Sequence, residues 1–208
     1  AKSDKDGFES KWDDLKLFIH YGMLSQNDFY EKASTYALLK DVDGKYYNYS
    51  DYKELIKANQ TDKDATLVVL YATDAEGQYS AIHVAKQKGY NVLLMDGQLD
   101  SPLVSMLEQK WEKTRFVRVD SDTIERLIPQ DDSNETSLNE DDVTLLTSTF
   151  NAALPKISGA EIRVDVINIS EESSPVCITQ SEYMRRMKDM SKLQEGMSFY
   201  GEMPDSYS

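Results

Sequence analysis

The sequence is poor in cysteine and histidine, the residues that most often form disulfides, bind zinc or act as nucleophile and base. Its 208 residues include one cysteine, Cys177, and two histidines, His20 and His83. A single cysteine cannot form an internal disulfide, and the two histidines lie far apart in amphipathic helical patterns. The composition argues against a disulfide scaffold or a clustered metal site, and it suits a reducing compartment.

Basic side chains and long apolar runs are also scarce. The chain has 23 Lys and Arg against 37 Asp and Glu, a net charge of −14, which would repel a nucleic-acid backbone. No stretch approaches the ~18 apolar residues of a membrane helix. Residues 1–7 lack the basic start and apolar run of a signal peptide. We therefore expect a cytoplasmic protein that binds neither nucleic acid nor membrane.

The clearest architecture lies in residues 66–119. Three apolar strands are predicted, at 67–71, 91–95 and 115–119. A helix at 81–88 is closed by Gly89, and a second helix begins with Ser101 as cap and Pro102 in its first turn. Strands that are apolar on both faces and alternate with helices indicate a parallel β-α-β-α-β unit. The predicted fold class is therefore α/β, or α+β for the chain as a whole.

The first 58 residues have a helical pattern. One apolar face is expected from Phe8, Trp12, Leu15 and Ile19, which are spaced by three and four residues. Gly22 is expected to end that helix, and Ser25 or Asn27 to cap the next. A hairpin is predicted around Asp43-Gly44, followed by a short helix capped by Ser50.

The chain changes character after residue 119. Residues 120–142 carry nine acidic side chains and one basic one, Arg126, so this segment is expected to be an exposed linker. A helix over 141–153 follows, stopped by Pro155. Strands are expected at 161–166 and 175–179, the second of which would bury Cys177 as an inert thiol. Ser181 is then suited to cap a methionine-rich helix.

A parallel sheet raises the possibility of nucleotide binding, because ligands of such sheets lie at the carboxyl ends of the strands. The loop after the first strand, residues 72–77, has one glycine, two carboxylates and no lysine. A phosphate needs close backbone approach and positive charge, and this loop offers neither. A small nucleotide- or phosphate-binding enzyme therefore remains the alternative to a binding or scaffolding role.

Methionines cluster near the end of the chain. Met184, Met187, Met190 and Leu193 follow at steps of three, and Met197 and Phe199 come shortly after. Methionine is flexible and polarisable, so a methionine-rich face can fit many apolar partners. The alternative is that this helix packs on the two preceding strands or serves as a docking module.

Four stretches in this order resemble the bacterial HtpG branch of the heat-shock protein 90 chaperone family, in its Bacteroidetes form. They are residues 12–23, with Ile19-His20; residues 89–95, followed by Leu99-Asp100; residues 173–179; and Met184 to Met187. The resemblance implies a fragment of the middle and C-terminal regions. Its parts would be a helical connector at 1–58, a small α/β subdomain at 59–121, an acidic linker at 122–137 and the start of the C-terminal domain at 138–208.

The resemblance also implies a mechanism. The whole protein would be a stress-response homodimer that binds ATP and Mg and closes as a clamp around partly folded clients. Nucleotide would be held upstream, so this fragment would be non-enzymatic, would hold no cofactor and would be monomeric. Client contact would fall on Met184, Met187, Met190, Leu193, Met197 and Phe199. A second client patch would follow Asp100 and comprise Ser101, Pro102, Ser105 and the nearby aromatic Trp111.

Overall fold

The protein is described by a computed structural model over residues 5–129, 138–155, 160–167, 176–180, 182–183, 185–186 and 205–207. It forms two compact units, residues 1–119 and residues 120–208. The boundary lies two residues before the predicted end of the α/β subdomain. The finer division at residue 58 stays a prediction.

Over residues 5–119, the first unit contains six helices and five strands. The helices are α1 (Lys5–Glu9), α2 (Trp12–Ser25), α3 (Asn27–Ala33), α4 (Tyr49–Lys57), α5 (Tyr79–Gln87) and α6 (Asp100–Lys110). The strands are β1 (Leu38–Lys40), β2 (Tyr46–Asn48), β3 (Leu67–Ala72), β4 (Val92–Leu94) and β5 (Thr114–Arg118).

The central sheet has the predicted parallel β-α-β-α-β arrangement. Its strand order is β4-β3-β5, and Leu70 of the middle strand is level with Val92 on one side and Val117 on the other. Because β4 and β5 flank β3, two crossovers of the same hand place α5 and α6 on opposite faces of the sheet. Both faces of β3 are thereby covered, which explains its apolar sequence.

The face that carries α6 holds the core of the unit. Side chains of α2 and α4 pack here with those of α6 and the sheet, so the helical segment and the α/β segment share one core. Its buried members include Trp12, Met23, Tyr52, Ile56, Val69, Leu93, Leu103, Leu107 and Phe116. Gln60 is also buried; its amide nitrogen donates to Val68 O at 2.9 Å and its amide oxygen accepts from Asn91 N at 2.6 Å. This glutamine joins the approach to β4 to the start of β3.

The predicted hairpin is confirmed as the antiparallel pair β1–β2, with Gly44 in its turn at a φ of +81°. Asp41 follows β1 and is almost fully buried. One carboxylate oxygen accepts the N–H groups of Asp43 and Lys45 at 3.0 and 2.9 Å. The other accepts Tyr47 Oη and Asn91 Nδ2, both at 3.1 Å. A β-bridge from Asp41 to Leu93 also attaches the hairpin to the edge of the central sheet.

The helical start of the chain differs from the prediction in phase. The helix breaks between Glu9 and Trp12, so the face that α2 buries carries Trp12, His20 and Met23, while Leu15 is exposed. Gly22 does not end α2, which continues to Ser25. A Cβ at Gly22 would lie 2.8 Å from Phe29 Cε1, so glycine there allows α3 to pack closely.

Helix caps were the least successful predictions. Asn48, not Ser50, caps α4 by accepting Asp51 N at 2.8 Å. Gln26 occupies the cap position of α3 without a side-chain bond, in place of Ser25 or Asn27. At α6 the helix begins at Asp100, whose carboxylate accepts Gly97 N at 2.8 Å, so Ser101 is already helical. Gly89 does follow the end of α5 with a φ of +75°, as predicted.

The second unit contains α7 (Ile124–Leu127), α8 (Glu140–Ala153), β6 (Ala160–Ile162) and β7 (Asp205–Tyr207), with β6 and β7 paired in parallel. The helix predicted at 141–153 is confirmed, and Asn139 caps it through Asp142 N at 2.8 Å. The start of the predicted linker is not exposed, because Ile124, Leu127 and Ile128 are buried. The prediction of an exposed linker rested on the number of charged side chains and did not take these apolar residues into account.

The strand expected at 175–179 is absent from residues 176–179, and Pro175 lies outside the described residues. Cys177 is exposed, in contrast to the inert buried thiol that was expected. Partial burial nevertheless raises the pKa of the Cys177 thiol, and the nearby negative charge of Glu125 acts in the same direction. Cys177 is therefore an accessible thiol of low thiolate content.

Tyr52 supplies a first test of the core. Its side chain is fully buried, and its hydroxyl has no hydrogen-bond partner within the described residues. Burial raises the pKa of Tyr52 well above its usual value. We expect Tyr52→Phe to raise the free energy of unfolding by up to about 1 kcal/mol, because it removes a desolvated hydroxyl and keeps the ring. Urea unfolding followed by circular dichroism measures the change.

The matched variant is Tyr47→Phe, which removes the hydroxyl that donates to Asp41. That variant should lose about 1 kcal/mol. If Tyr52→Phe lost as much as Tyr47→Phe, the Tyr52 hydroxyl would have a stabilising partner after all.

Candidate functional site

The six residues predicted to contact clients lie outside the described residues. These are Met184, Met187, Met190, Leu193, Met197 and Phe199. Their described neighbours are helical. Tyr183 is 68% exposed, while Arg185 Nη1 binds Asp120 Oδ2 at 2.8 Å and Arg186 Nε binds Glu182 Oε1 at 2.6 Å. These two arginines are thus held by ion pairs within the second unit, and the role of the methionines stays a prediction.

The second predicted client patch lies on α6 and just after it. Ser101, Pro102 and Ser105 are half-buried, and Ser105 Oγ donates to Ser101 O at 3.2 Å. Trp111 is only 6% exposed. It does not supply the aromatic surface expected of it, because its indole is enclosed by side chains from α4 and β5.

Two aromatic side chains and one lysine surround the indole of Trp111. Its ring centroid lies 5.4 Å from that of Tyr49 and 5.6 Å from that of Phe116. Lys53 Nζ lies 4.9 Å from the same centroid, in cation–π geometry. Trp111 therefore joins α4, β5 and the end of α6, and its role in this conformation is to hold the core together.

Two residues of the motifs behind the resemblance meet in the structure. His20 of α2 and Asp100 of α6 are both buried, with Nδ1 and Oδ1 3.4 Å apart. One turn earlier on α2, Lys16 Nζ binds Asp96 Oδ1 at 2.9 Å. These two pairs tie α2 to the segment that starts α6, so they position Ser101 and Pro102. No local pattern predicts this contact, because the partners are about 80 residues apart.

The loop after β3 does not fit a phosphate. Gln78 Oε1 already accepts the N–H groups of Thr73 and Asp74 at 2.8 and 2.9 Å. Asp74 Oδ1 accepts those of Glu76 and Gly77, both at 3.1 Å. The loop's own side chains therefore occupy the backbone donors that a phosphate would need, and they add negative charge. Across the described part of the chain, no group of three or more His, Cys, Asp or Glu side chains is placed to hold a metal.

The residues that sequence reasoning missed lie on the outer face of α2. Phe18 is 74% exposed, Tyr21 66% and Leu17 46%, and all three lie opposite the buried Trp12 and Met23. Together they form a small contiguous apolar patch, and the largest such patch on a folded monomer is often an interaction site. The signal was present in the sequence, since α2 is apolar around most of its circumference and only one face can enter the core.

The second unit also exposes apolar side chains. Leu145 of α8 and Val176 and Ile178 further along are more than half exposed, and no described residue of α8 is buried. Both units therefore present apolar surface alongside the strongly acidic composition. Of the helices that the structure describes, none is long and apolar enough to cross a membrane.

The chain is similar along its whole length to known bacterial proteins. No family model matches it. Its 207 aligned residues are 55% identical to chaperone protein htpG of Bacteroides fragilis strain YCH46 and 55% identical to HtpG of Bacteroides thetaiotaomicron. They are 50% identical to HtpG of Porphyromonas gingivalis. In each case the alignment covers 100% of this chain and 30% of the relative.

These relatives are chaperones by name, which gives the class of protein to which this mixed α/β chain is related. A sequence identity of 50% or more over 207 aligned residues is far above what chance would give. The chain is similar to HtpG chaperones along its whole length, and it spans about 30% of the length of the curated relatives that it matches.

Proposed function

We propose that the chain is the part of an HtpG chaperone that contacts partly folded client proteins and transmits movement between the regions around it. The observation that carries this proposal is the identity of 50–55% to HtpG proteins over the entire chain. Exposed apolar side chains on both units support it, because apolar surface is what an unfolded polypeptide can bind without a sequence-specific site.

The work would be non-covalent. The loop after β3 does not fit the phosphates of ATP, since its own side chains occupy its backbone donors and it carries two carboxylates. ATP and Mg would therefore act elsewhere in the whole protein, which we propose to be a cytoplasmic homodimer. This chain would respond to that cycle without catalysing it. The net charge of −14 disfavours nucleic acid as a partner.

The methionine segment is the proposed principal contact. We expect the double variant Met187→Ser, Met190→Ser to lose most of the chain's ability to suppress aggregation of a denatured protein after dilution. The reason is that a flexible apolar surface becomes polar. Light scattering at increasing ratios of chain to denatured protein measures the loss as a several-fold rise in the amount of chain required.

Tyr79→Ser is the matched control, because Tyr79 is exposed on α5 in the other unit. It should leave suppression unchanged. Suppression that is equally strong in the double variant would favour a structural docking role for the segment. Saturable binding of ATP to the chain, measured by titration calorimetry, would instead favour the nucleotide-binding alternative.

A further inference from the structure

The outer face of α2 forms a short stripe with a carboxylate at one end. Asp14 precedes Leu17, Phe18 and Tyr21 by three, four and seven residues, which places all four side chains on one side of the helix. Phe18 and Tyr21 are among the most exposed large apolar side chains of the first unit. The ring of Phe29 from α3 lies against Gly22, which is one turn after Phe18 on α2. The aromatic surface therefore continues onto the neighbouring helix.

The carboxylate of Asp14 has no hydrogen-bonding or ionic partner among the described residues. Its neighbour Asp13, by contrast, binds Lys40 Nζ at 2.7 Å. Lys11 lies one turn before Asp14 and two turns before Phe18 on the same side of the helix, and no described ion pair joins Lys11 to Asp14. With a chain charge of −14, the field around this stripe favours a cationic partner.

The size of the stripe indicates what kind of partner it suits. Two aromatic side chains at this exposure offer on the order of 300 Å². A stable interface between two folded proteins needs about 800 Å² from each partner, so a second copy of this chain would not be held by the stripe alone. A short polypeptide segment with a few apolar side chains and a nearby cation matches both the area and the charge.

We propose that the outer face of α2 is a further client-contact surface, selective for unfolded segments that combine apolar side chains with lysine or arginine. Apolar side chains of the segment would lie across Phe18 and Tyr21, and its cation would lie beside Asp14. This inference rests on the proposed chaperone function and names a substrate class for it. It places the contact on the first unit.

The test uses the 208-residue chain and two labelled peptides. One consists of leucine, phenylalanine and lysine, and the other has glutamate in place of every lysine. Fluorescence anisotropy should show tighter binding of the lysine peptide, weakening as salt is added. The variant Phe18→Ser, Tyr21→Ser should lower its affinity about tenfold or more, as removal of aromatic contacts does at other interfaces. Asp14→Lys should reverse the preference between the peptides.

Leu55→Ser is the matched control, since Leu55 is half exposed on α4 of the same unit. It should bind the lysine peptide like the wild type. Circular dichroism should show that every variant keeps its fold, because the changed side chains lie on the surface. Equal affinity for both peptides, or unchanged affinity of the double variant, would overturn the proposal. So would a wild-type dimer that Phe18→Ser, Tyr21→Ser converts to a monomer.

The proposed chaperone function and the proposed surface on α2 can fail separately, and the two failures give different experimental results. The variant Met187→Ser, Met190→Ser should still bind the lysine peptide, because the stripe lies on another unit. If the wild type bound this peptide through Phe18 and Tyr21 but did not suppress aggregation, the surface would stand and the chaperone role would fail. If aggregation were suppressed without any peptide binding to α2, the chaperone role would stand and the proposed surface on α2 would fail.

Discussion

Asp41→Ala is expected to lower the free energy of unfolding of the first unit by about 3 kcal/mol or more. Asp41 is only 1% exposed, and its two oxygens accept four hydrogen bonds from the turn, from Tyr47 and from Asn91. Alanine leaves these donors without their acceptor and removes the side-chain link between the hairpin and Asn91, although the backbone bridge from residue 41 to Leu93 remains. Urea unfolding followed by tryptophan fluorescence measures this unit selectively, since Trp12 and Trp111 both belong to it.

Two further variants separate the role of Asp41 from a general effect of removing charge. Asp64→Ala removes an exposed carboxylate from a turn of the same unit and should change stability by less than about 0.5 kcal/mol. Asp41→Asn keeps the shape but places an N–H group against donors, so its loss should be intermediate. A loss below 1 kcal/mol for Asp41→Ala would mean that solvent replaces the carboxylate at this site.

The central sheet could be predicted because its information is local. Residues 67–72 are apolar on both faces, and helices on either side of a parallel sheet require that pattern. The hairpin was equally clear, since Asp43-Gly44 has the turn chemistry that such a connection demands. Where the pattern of apolar and turn residues lies within one local stretch of chain, the sequence alone was enough to predict the element.

The caps and the phase of α2 depended on choices that the local sequence leaves open. Asn48 and Ser50 are both good cap residues, and the end of β2 at Asn48 decided between them. Phe8 and Trp12 have helical spacing, yet the break at Ser10-Lys11 places them in different helices. The direction of the buried face then followed from tertiary packing, which moved Leu15 outward and His20 inward.

The long-range contacts could not have been predicted from one sequence. Asp41 meets Asn91 across 50 residues, and His20 meets Asp100 across a longer interval. Each of these side chains is polar and would ordinarily be assigned to the surface. Their burial reflects a requirement of the fold, namely that the helical segment and hairpin be attached to β4 and α6. For the candidate site, the same limit applied to Trp111, whose exposure was inferred from its position after α6.

Trp111→Ala is expected to destabilise the first unit by about 3–5 kcal/mol, because it empties a space enclosed by Tyr49, Phe116 and the stem of Lys53. Far-UV circular dichroism during urea unfolding measures the change without relying on the deleted fluorophore. Trp111→Phe should lose less, since it keeps one ring in contact with the other two.

Measurements on Trp111→Ala also distinguish a structural role of Trp111 in the core from a direct role in client binding. If Trp111 acts through the core, client binding by Trp111→Ala should fall with the folded fraction and recover when a stabilising osmolyte restores folding. Lys53→Met, which keeps the stem and removes the cation over the ring, should cost only about 0.5–1 kcal/mol and leave client binding intact. A Trp111→Ala protein that is fully folded but deficient in client binding would instead place Trp111 in the contact surface, and would require α6 and its surroundings to open when a client binds.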